Sequence, residues 1–237
     1  MFKIYSFKTL SSTNDKARVF ADKGKYNLVV VAEKQEKGRG RFGRKWSSGS
    51  GGLYMTILLK EENLEKAKYL TFIAAVSVVK AIKRISKLNG KVKWPNDVLV
   101  NDKKICGVLT ETLSGKENYV RVGIGLNVNN MKFPKNIMNK ATSLKIETNK
   151  IYDIKNISRK IITEFNNLYL HYKNKDYRKI IGTWKKYSHT LGKKIMAKTL
   201  SGEYVGKAIG VDNNCNLVLR VNNGKLKKIV EGDIFTV

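Results

Sequence analysis

The sequence predicts an α+β protein with a mainly antiparallel sheet and a small second domain of short strands. Three observations predict this class. Several β-branched strands follow one another with no helix between them, which requires antiparallel pairing. One long segment has helical spacing of its apolar residues. After Leu191 the composition changes to short alternating segments separated by turns.

In the first domain, the periodicity of apolar residues predicts each element in turn. Residues 3–7 alternate as a strand, and 11–24 has the features of a helix in which Ser12 and Asp15 fit a capping box and Gly24 ends the helix. The remaining predicted elements are strands at 27–35 and 52–59, a long helix at 64–86, strands at 91–94, 97–101, 103–112 and 119–129, and a helical region at 151–187 broken near Asn174.

The C-terminal segments "KKIMAKT", "EYVGKAIGVD", "NLVLRV" and "LKKIVEGDIFTV" are separated by Ser-Gly, Asn-Asn and Asn-Gly turns. This pattern is typical of a small antiparallel barrel. With 237 residues, the chain has room for one medium domain and this small one. We therefore expect domains at 1–187 and 188–237.

Composition limits the possible functions. The sequence contains no apolar run near the roughly 18 residues of a membrane span, and its start lacks the features of a signal peptide, so a cytoplasmic location without membrane contact is expected. The two cysteines, Cys106 and Cys215, predict neither a disulfide nor a zinc site. The net charge of +28 suggests nucleic acid, but the lysines are spread over every segment instead of forming one basic face. A basic nucleic-acid-binding module is thus kept only as an alternative.

The stretch 38–43, "GRGRFG", matches a dinucleotide-binding fingerprint by spelling. That fingerprint works only where the last glycine opens a helix, and here a strand is predicted to follow, so a Rossmann site is excluded. The interleaved Arg39, Arg41 and Arg44 instead indicate a loop that grips carboxylate or phosphate groups. Taken alone, the segment also fits an exposed basic loop that binds nothing.

Five motifs occur together: "SSTN" at 11–14, "GRGRFGRKW" at 38–46, "KWPNDV" at 93–98, "KKICGVL" at 103–109 and "GIGLNVN" at 123–129. In order and spacing they resemble the motifs of biotin protein ligases, and the resemblance extends over nearly the whole chain. Phe42 departs from it, because several relatives carry a basic residue there. Since "SSTN" begins at residue 11, the resemblance is to the monofunctional class, which lacks an N-terminal DNA-binding domain.

The resemblance implies a fold like the class II aminoacyl-tRNA synthetase core followed by an SH3-like barrel. It also implies an ATP- and Mg²⁺-dependent activity that joins biotin to the α-phosphate of ATP and passes biotin from the adenylate to a lysine of a biotin carboxyl carrier protein or domain. A homodimer is possible, and no specific DNA binding is expected. Lipoate or another acyl group remains the alternative substrate. Such chemistry needs no protein nucleophile, so His171 and His189 are expected to be structural or exposed.

For biotin, the resemblance implicates neutral hydrogen-bonding residues near strand ends, the glycine-arginine loop and glycines within strands. These residues are Ser12, Thr13, Asn14, Gln35, Gly38, Arg39, Gly40, Arg41, Lys104, Gly107 and Gly123. With Gly125, the strand glycines are expected where a ligand lies directly on the sheet. Alternative readings remain for two of them, since Ser12 could be only a helix cap and Gln35 only a polar strand end.

For ATP, the resemblance implicates cations, amides and one aromatic residue: Arg41, Arg44, Trp46, Lys93, Asn96, Asp97, Lys104 and Asn127. Lys104 is expected to contact both the biotin carboxylate and the α-phosphate, so Lys104 and Arg41 are the expected catalytic residues. Asn96 would bond adenine, Trp46 would lie beside it, and Asp97 would organise Mg²⁺, whose ligands the sequence does not define. Alternatively, Trp46 is a core residue and Lys104 a solvated turn residue.

Overall fold

The computed structural model describes residues 2–237 and confirms the α+β class. Seven strands form the main sheet in the order β1-β2-β3-β7-β6-β5-β4. Only β1 and β2 pair in parallel, because helix α1 joins them as a crossover; every other pair is antiparallel. The strands are β1 (Lys3–Leu10), β2 (Leu28–Gln35), β3 (Gly52–Lys60), β4 (Lys91–Lys93), β5 (Asp97–Val100), β6 (Lys103–Leu113) and β7 (Tyr119–Asn127).

Three long helices cover one face of this sheet and build the core with it. The ring of Phe72 stacks on that of Trp184 with centroids 4.4 Å apart, which ties the second helix to the fifth. The break predicted near Asn174 is present, since Asn174 caps the fourth helix. The helices are α1 (Thr13–Ala21), α2 (Ala67–Ser86), α3 (Leu144–Thr148), α4 (Ile154–Lys173) and α5 (Tyr177–Tyr187).

Helix α1 covers part of the opposite face. Strand β2 is apolar without alternation because Val29 points to the main core while Leu28 and Val30 pack under α1. Strand β7 shows the same division, with Ile124 in the main core and Gly123 facing the side of α1. The part of this face that α1 leaves uncovered carries the candidate site.

The start of α1 differs from the predicted capping box. Ser12 is the N-cap, as expected, but its hydroxyl accepts from the backbone N–H of Asn14 at 3.2 Å. The side chain of Asp15 does not return to the cap, because it forms an ion pair with Arg39. A second difference is that residues 64–66 of the long predicted helix form a 3₁₀ turn before α2 begins.

The C-terminal segments form a five-stranded antiparallel sheet in the order β11-β10-β9-β8-β12. Its apolar residues join the main core, and Trp94 Nε1 donates to the Cys215 carbonyl at 3.0 Å. Cys106 and Cys215 are both free and buried. Across residues 2–237, no helix is long and apolar enough to span a membrane. The strands are β8 (Lys194–Thr199), β9 (Gly202–Val211), β10 (Leu217–Val221), β11 (Leu226–Ile229) and β12 (Asp233–Thr236).

Candidate active site

A cavity of about 790 Å³ opens on the face of the main sheet that carries α1. It is bounded by the first turn of α1, the loop at 38–46, strands β4 to β7 and residues from both ends of the second domain. Every residue predicted for the site lines this cavity except Gly38, which lies behind it against Ser48. The sequence motifs therefore converge on one place.

One side of the cavity is neutral, and its polar groups are bonded to one another. The backbone N–H and hydroxyl of Thr13 both donate to Gln35 Oε1, at 2.8 and 3.0 Å. Gln35 Nε2 in turn donates to the Ser48 hydroxyl at 3.0 Å. Ser12, Thr13 and Asn14 are all buried at the start of α1. We call Ser12, Thr13, Asn14 and Gln35 the neutral side.

The loop at 38–46, which we call the glycine-arginine loop, folds back on itself like a hairpin. The N–H of Trp46 donates to the Gly38 carbonyl at 2.9 Å, and the N–H of Gly40 to the Arg44 carbonyl at 2.7 Å. At its tip Phe42 has φ of 55° and Gly43 has φ of 70°. No helix follows the loop before β3, so the exclusion of a dinucleotide-binding turn is confirmed.

Two arginines of this loop pair with aspartates on other elements. Arg39 donates to both carboxylate oxygens of Asp15, at 2.9 and 2.6 Å. Arg44 is paired in the same bidentate way with Asp233 of the second domain. The hydrogen bond from each arginine holds the pKa of its aspartate below the usual value. The loop is thus held at both ends by charge.

Arg41, by contrast, bonds only to neutral acceptors. Its guanidinium lies 3.2 and 3.3 Å from the Gly232 carbonyl and 3.4 Å from Asn96 Oδ1. Gly232 can present this carbonyl because it has φ of 146°, and a Cβ there would come within 2.4 Å of the Lys198 carbonyl. The second domain therefore holds the loop by a backbone group as well as by Asp233.

Arg41 and Lys93 are two cations of the cavity whose side chains are desolvated and not directly paired with a carboxylate in the described part of the chain. Within residues 2–237 neither forms an ion pair, and burial lowers the pKa of both side chains. Lys104 differs, because its Nζ lies 2.7 Å from Asp97 Oδ1. A desolvated cation without a counter-charge is costly, and a bound anion relieves that cost. These two residues mark the place for an anion.

Trp46 lies directly on the glycines of the sheet. A Cβ at Gly125 would come within 2.4 Å of Trp46 Nε1, and one at Gly107 within 3.1 Å of the same ring. Gly123 likewise makes room for Asn14, whose Oδ1 would be 2.6 Å from a Cβ there. Two side chains of the protein, Trp46 and Asn14, thus occupy space above these glycines.

The indole of Trp46 nevertheless borders the cavity and has an unused hydrogen-bond donor. Its Nε1 is buried with no partner among the described residues, and Lys104 Nζ lies 5.3 Å from the ring centroid. The indole therefore lies at the border of the cavity beside Lys104, with an N–H group that is unpartnered within residues 2–237.

The two asparagines predicted for nucleotide binding are partly engaged. Asn96 Nδ2 donates to the Val108 carbonyl at 2.6 Å, and its Oδ1 accepts from Arg41. Asn127 is buried and donates to the Thr142 carbonyl at 2.9 Å. These bonds fix both amides at the edge of the cavity.

Some lining residues were not predicted. His189, set aside as structural or exposed, borders the cavity, and its Nε2 lies 2.6 Å from Asp102 and 2.9 Å from Lys193. Asp233 lines the cavity through its contact with Arg44. Nothing in the sequence marks them, since each comes from a segment without a motif.

Among residues 2–237 no group of three or more His, Cys, Asp or Glu side chains could hold a metal ion by itself. The carboxylate nearest the motif cations, Asp97, is paired with Lys104. Magnesium commonly binds through one carboxylate or two together with substrate phosphates, and this donor set fits only that mode.

Comparison with known proteins identifies the family of the chain. The model of the Biotin/lipoate A/B protein ligase family matches residues 6–129, which places the chain among ligases of this fold. The model of the biotin protein ligase C-terminal domain matches residues 190–237. This chain belongs to the biotin protein ligase family.

Individual relatives resemble the chain over most of its length. The bifunctional ligase/repressor BirA of Bacillus subtilis is 37% identical over 233 residues, which cover 95% of this chain and 71% of that protein. The biotin–[acetyl-CoA-carboxylase] ligase of Paracoccus denitrificans is 29% identical, covering 90% of this chain and 92% of the relative. Among solved structures, the Aquifex aeolicus biotin protein ligase in complex with biotin and ATP is 31% identical, with a TM-score of 0.88 over 100% of both chains.

Proposed function

We propose that this protein activates biotin with ATP as biotinyl-5′-AMP and transfers biotin to a specific lysine of a biotin carboxyl carrier protein or domain. One observation carries the proposal. One cavity is lined both by a neutral hydrogen-bonding side and by two desolvated cations, Arg41 and Lys93, that form no direct ion pair among the described residues. An uncharged polar ring suits the first side and a phosphate group suits the second.

Joining a carboxylate to a phosphate requires two anions to approach each other, so the protein has to offset their charge and hold them in place. In this proposal Lys104 lies between the two anions, within reach of both. Lys104 is now paired with Asp97. When the substrates bind, their anionic groups replace Asp97 as the partner of Lys104 or share Lys104 with it. The α-phosphate gains a bond to the biotin carboxylate oxygen, and pyrophosphate leaves. No protein nucleophile takes part.

The nucleotide is proposed to lie on the cationic side. Arg41 and Lys93 balance phosphate charge, Trp46 offers a ring face toward adenine, and Asn96, Asn127 and Arg44 border the same region. Magnesium, held mainly by the ATP phosphates with Asp97 nearby, supplies charge neutralisation when bound.

The neutral side is proposed to bind biotin. Ser12, Thr13, Asn14 and Gln35 face its ureido ring, with Gly107 and Gly123 in the sheet beneath. The glycine-arginine loop from Gly38 and Gly40 through Arg39 and Arg41 closes over the acid and keeps water from the adenylate.

The first half-reaction is tested by exchange of labelled pyrophosphate into ATP, with biotin, lipoate or no acid added. We expect exchange to depend on biotin. Exchange that depends on lipoate instead, or that needs no acid, would overturn the assignment. Lipoate is the informative competitor because the family model spans both substrates.

The second half-reaction is tested by adding a carrier domain and locating biotin by mass spectrometry. We expect one modified lysine, and no labelling when that lysine is replaced by arginine. Transfer to the carrier at random lysines would contradict a specific acceptor.

We also propose a cytoplasmic enzyme that forms a homodimer and binds no specific DNA. The spread of the +28 charge over all segments supports the last of these points, the absence of specific DNA binding. Sedimentation at several protein concentrations tests the dimer. Binding to random and selected DNA over a range of salt concentrations tests the last point, because phosphate contacts alone give strong salt dependence without sequence preference.

A further inference from the structure

Three residues behind the neutral side hold Asn14 and do not line the cavity themselves. Glu111 lies on β6, Arg121 on β7 and Thr56 on β3, under the first turn of α1. Glu111 and Arg121 are directly opposite each other in the antiparallel register of β6 and β7. None of the three belongs to the motifs found in the sequence.

The side-chain amide of Asn14 is bonded at both ends. Its Nδ2 donates to Glu111 Oε2 at 2.6 Å, and its Oδ1 accepts from the Thr56 hydroxyl at 2.5 Å. An ionised carboxylate only accepts hydrogen bonds, so the reverse amide orientation would set two oxygens against each other. Glu111 therefore selects one of the two orientations of this amide.

Arg121 contacts both Asn14 and Glu111. Its side chain is only 8% exposed, and its Nη1 donates to the backbone carbonyl of Asn14 at 3.1 Å while Nη2 lies 3.5 Å from Glu111. Two residues further along β7, on the same face, Gly123 leaves room for the Asn14 side chain. Strand β7 therefore contacts Asn14 twice: Arg121 bonds its backbone carbonyl, and Gly123 leaves space for its side-chain amide.

We infer that Glu111 is a positioning residue for the biotin subsite, which fixes the Asn14 amide in one orientation toward the uncharged polar ring of the acid. The inference rests on the proposed function and deepens it. Glu111 acts through Asn14, so its effect is confined to the acid and does not extend to the nucleotide. Hydrogen-bond recognition of this kind is lost when a group is free to turn, because buried polar atoms are then left unpaired.

The test is a double-mutant cycle in the pyrophosphate-exchange assay. Glu111→Ala is expected to raise the KM for biotin about tenfold and to leave the KM for ATP unchanged. Asn14→Ala is expected to give a similar rise, and the double variant Glu111→Ala/Asn14→Ala no larger rise than Asn14→Ala alone, because the carboxylate acts only through the amide. Independent effects that multiply in the double variant would overturn the inference, as would an equal rise in the KM for ATP.

Glu111→Gln gives a milder variant for the case in which Glu111→Ala does not fold. Its side-chain oxygen can still accept from Asn14, so a rise smaller than that of Glu111→Ala supports positioning by an acceptor; a rise as large or larger contradicts it. Glu203→Ala is the matched control, because Glu203 also pairs across two strands with a cation, Lys198, but in the second domain. Its KM for biotin is expected to match that of the wild type.

Failure of the proposed function and failure of this inference give different results. If exchange by the wild type needs no biotin, the proposed function fails. If the wild type depends on biotin and Glu111→Ala has an unchanged KM for biotin, only the inference fails.

Discussion

The polar groups on the neutral side of the cavity are bonded to one another and to uncharged or charged groups behind them, whereas three cations of the cavity are paired with aspartates. Thr13 and Gln35 satisfy each other at 2.8 and 3.0 Å. Arg39, Arg44 and Lys104 are paired with Asp15, Asp233 and Asp97. The neutral side is therefore preorganised, while the cationic side is balanced by carboxylates.

This difference indicates how each side meets its ligand. A preorganised hydrogen-bonding group needs little rearrangement, which favours selectivity. Partly exposed ion pairs such as Arg39–Asp15 are weak, typically about 0–1 kcal/mol, so an incoming anion can displace the carboxylate. The aspartates hold the cations in place until substrate anions take over.

Replacing Lys104 is expected to have the largest effect on the cationic side. Lys104→Gln keeps most of the side-chain length but removes the charge between the two proposed anions, so we expect the exchange rate to fall by about 100-fold or more. Lys103→Gln is the matched control, since the adjacent Lys103 is exposed and does not line the cavity. Equal losses in both variants would show that charge in this turn, rather than Lys104, is what matters.

Arg41→Gly is expected to have the next largest effect, on retention of the adenylate. The loop then loses its contacts to the Gly232 carbonyl and Asn96, so the adenylate escapes and labels bystander lysines. We expect labelling of an unrelated protein to rise roughly tenfold, which corresponds to about 1.4 kcal/mol of lost retention. Lys37→Gly, at an exposed lysine before the loop, is the control. An unchanged labelling pattern in Arg41→Gly would count against closure by this arginine.

The helices and strands were largely predictable because each has a local sequence pattern of its own. The β-branched run of β2 and the helical spacing of α2 depend on local sequence, and both elements are found within a few residues of their predicted bounds. The seven-stranded order and the crossover at α1 were not predicted, since they depend on pairing between distant segments.

The candidate site also has a part that could be predicted from the sequence and a part that could not. The motifs identify residues that converge on the cavity, but not the partners that hold them. Asp15 had a plausible local role as part of a capping box, and its actual partner Arg39 lies 24 residues away. Asp233 is 189 residues from Arg44, in a segment without a motif. Such ion pairs are decided by the folded geometry, and no local pattern specifies them.

Asp233→Ala is expected to have a smaller effect than Lys104→Gln or Arg41→Gly. It frees Arg44 while Arg41 keeps its contact with the Gly232 carbonyl, so the KM for ATP should rise by no more than about fivefold, the equivalent of about 1 kcal/mol. The swapped pair Arg44→Asp/Asp233→Arg should recover part of that loss, and the exposed Glu231→Ala should show none. A swapped pair that is worse than Asp233→Ala would contradict a simple ion pair.

The smallest expected effect is on the pKa of Asp233 itself. Its hydrogen bond from Arg44 holds the pKa below the usual 3.8, so the stabilising contribution of this pair is complete above pH 3.8 and is lost as the pH falls through the lower folded-state pKa. In Arg44→Gln the pKa should move upward toward 3.8, as followed by the carboxyl ¹³C shift of Asp233 in an NMR titration. Asp15, whose pKa is lowered by its hydrogen bond from Arg39 and not by Arg44, gives the control titration and should be unaffected. An Asp233 pKa that does not move would show that the loop and the second domain are held by Gly232 alone, and the cationic side would then depend less on aspartates than the geometry indicates.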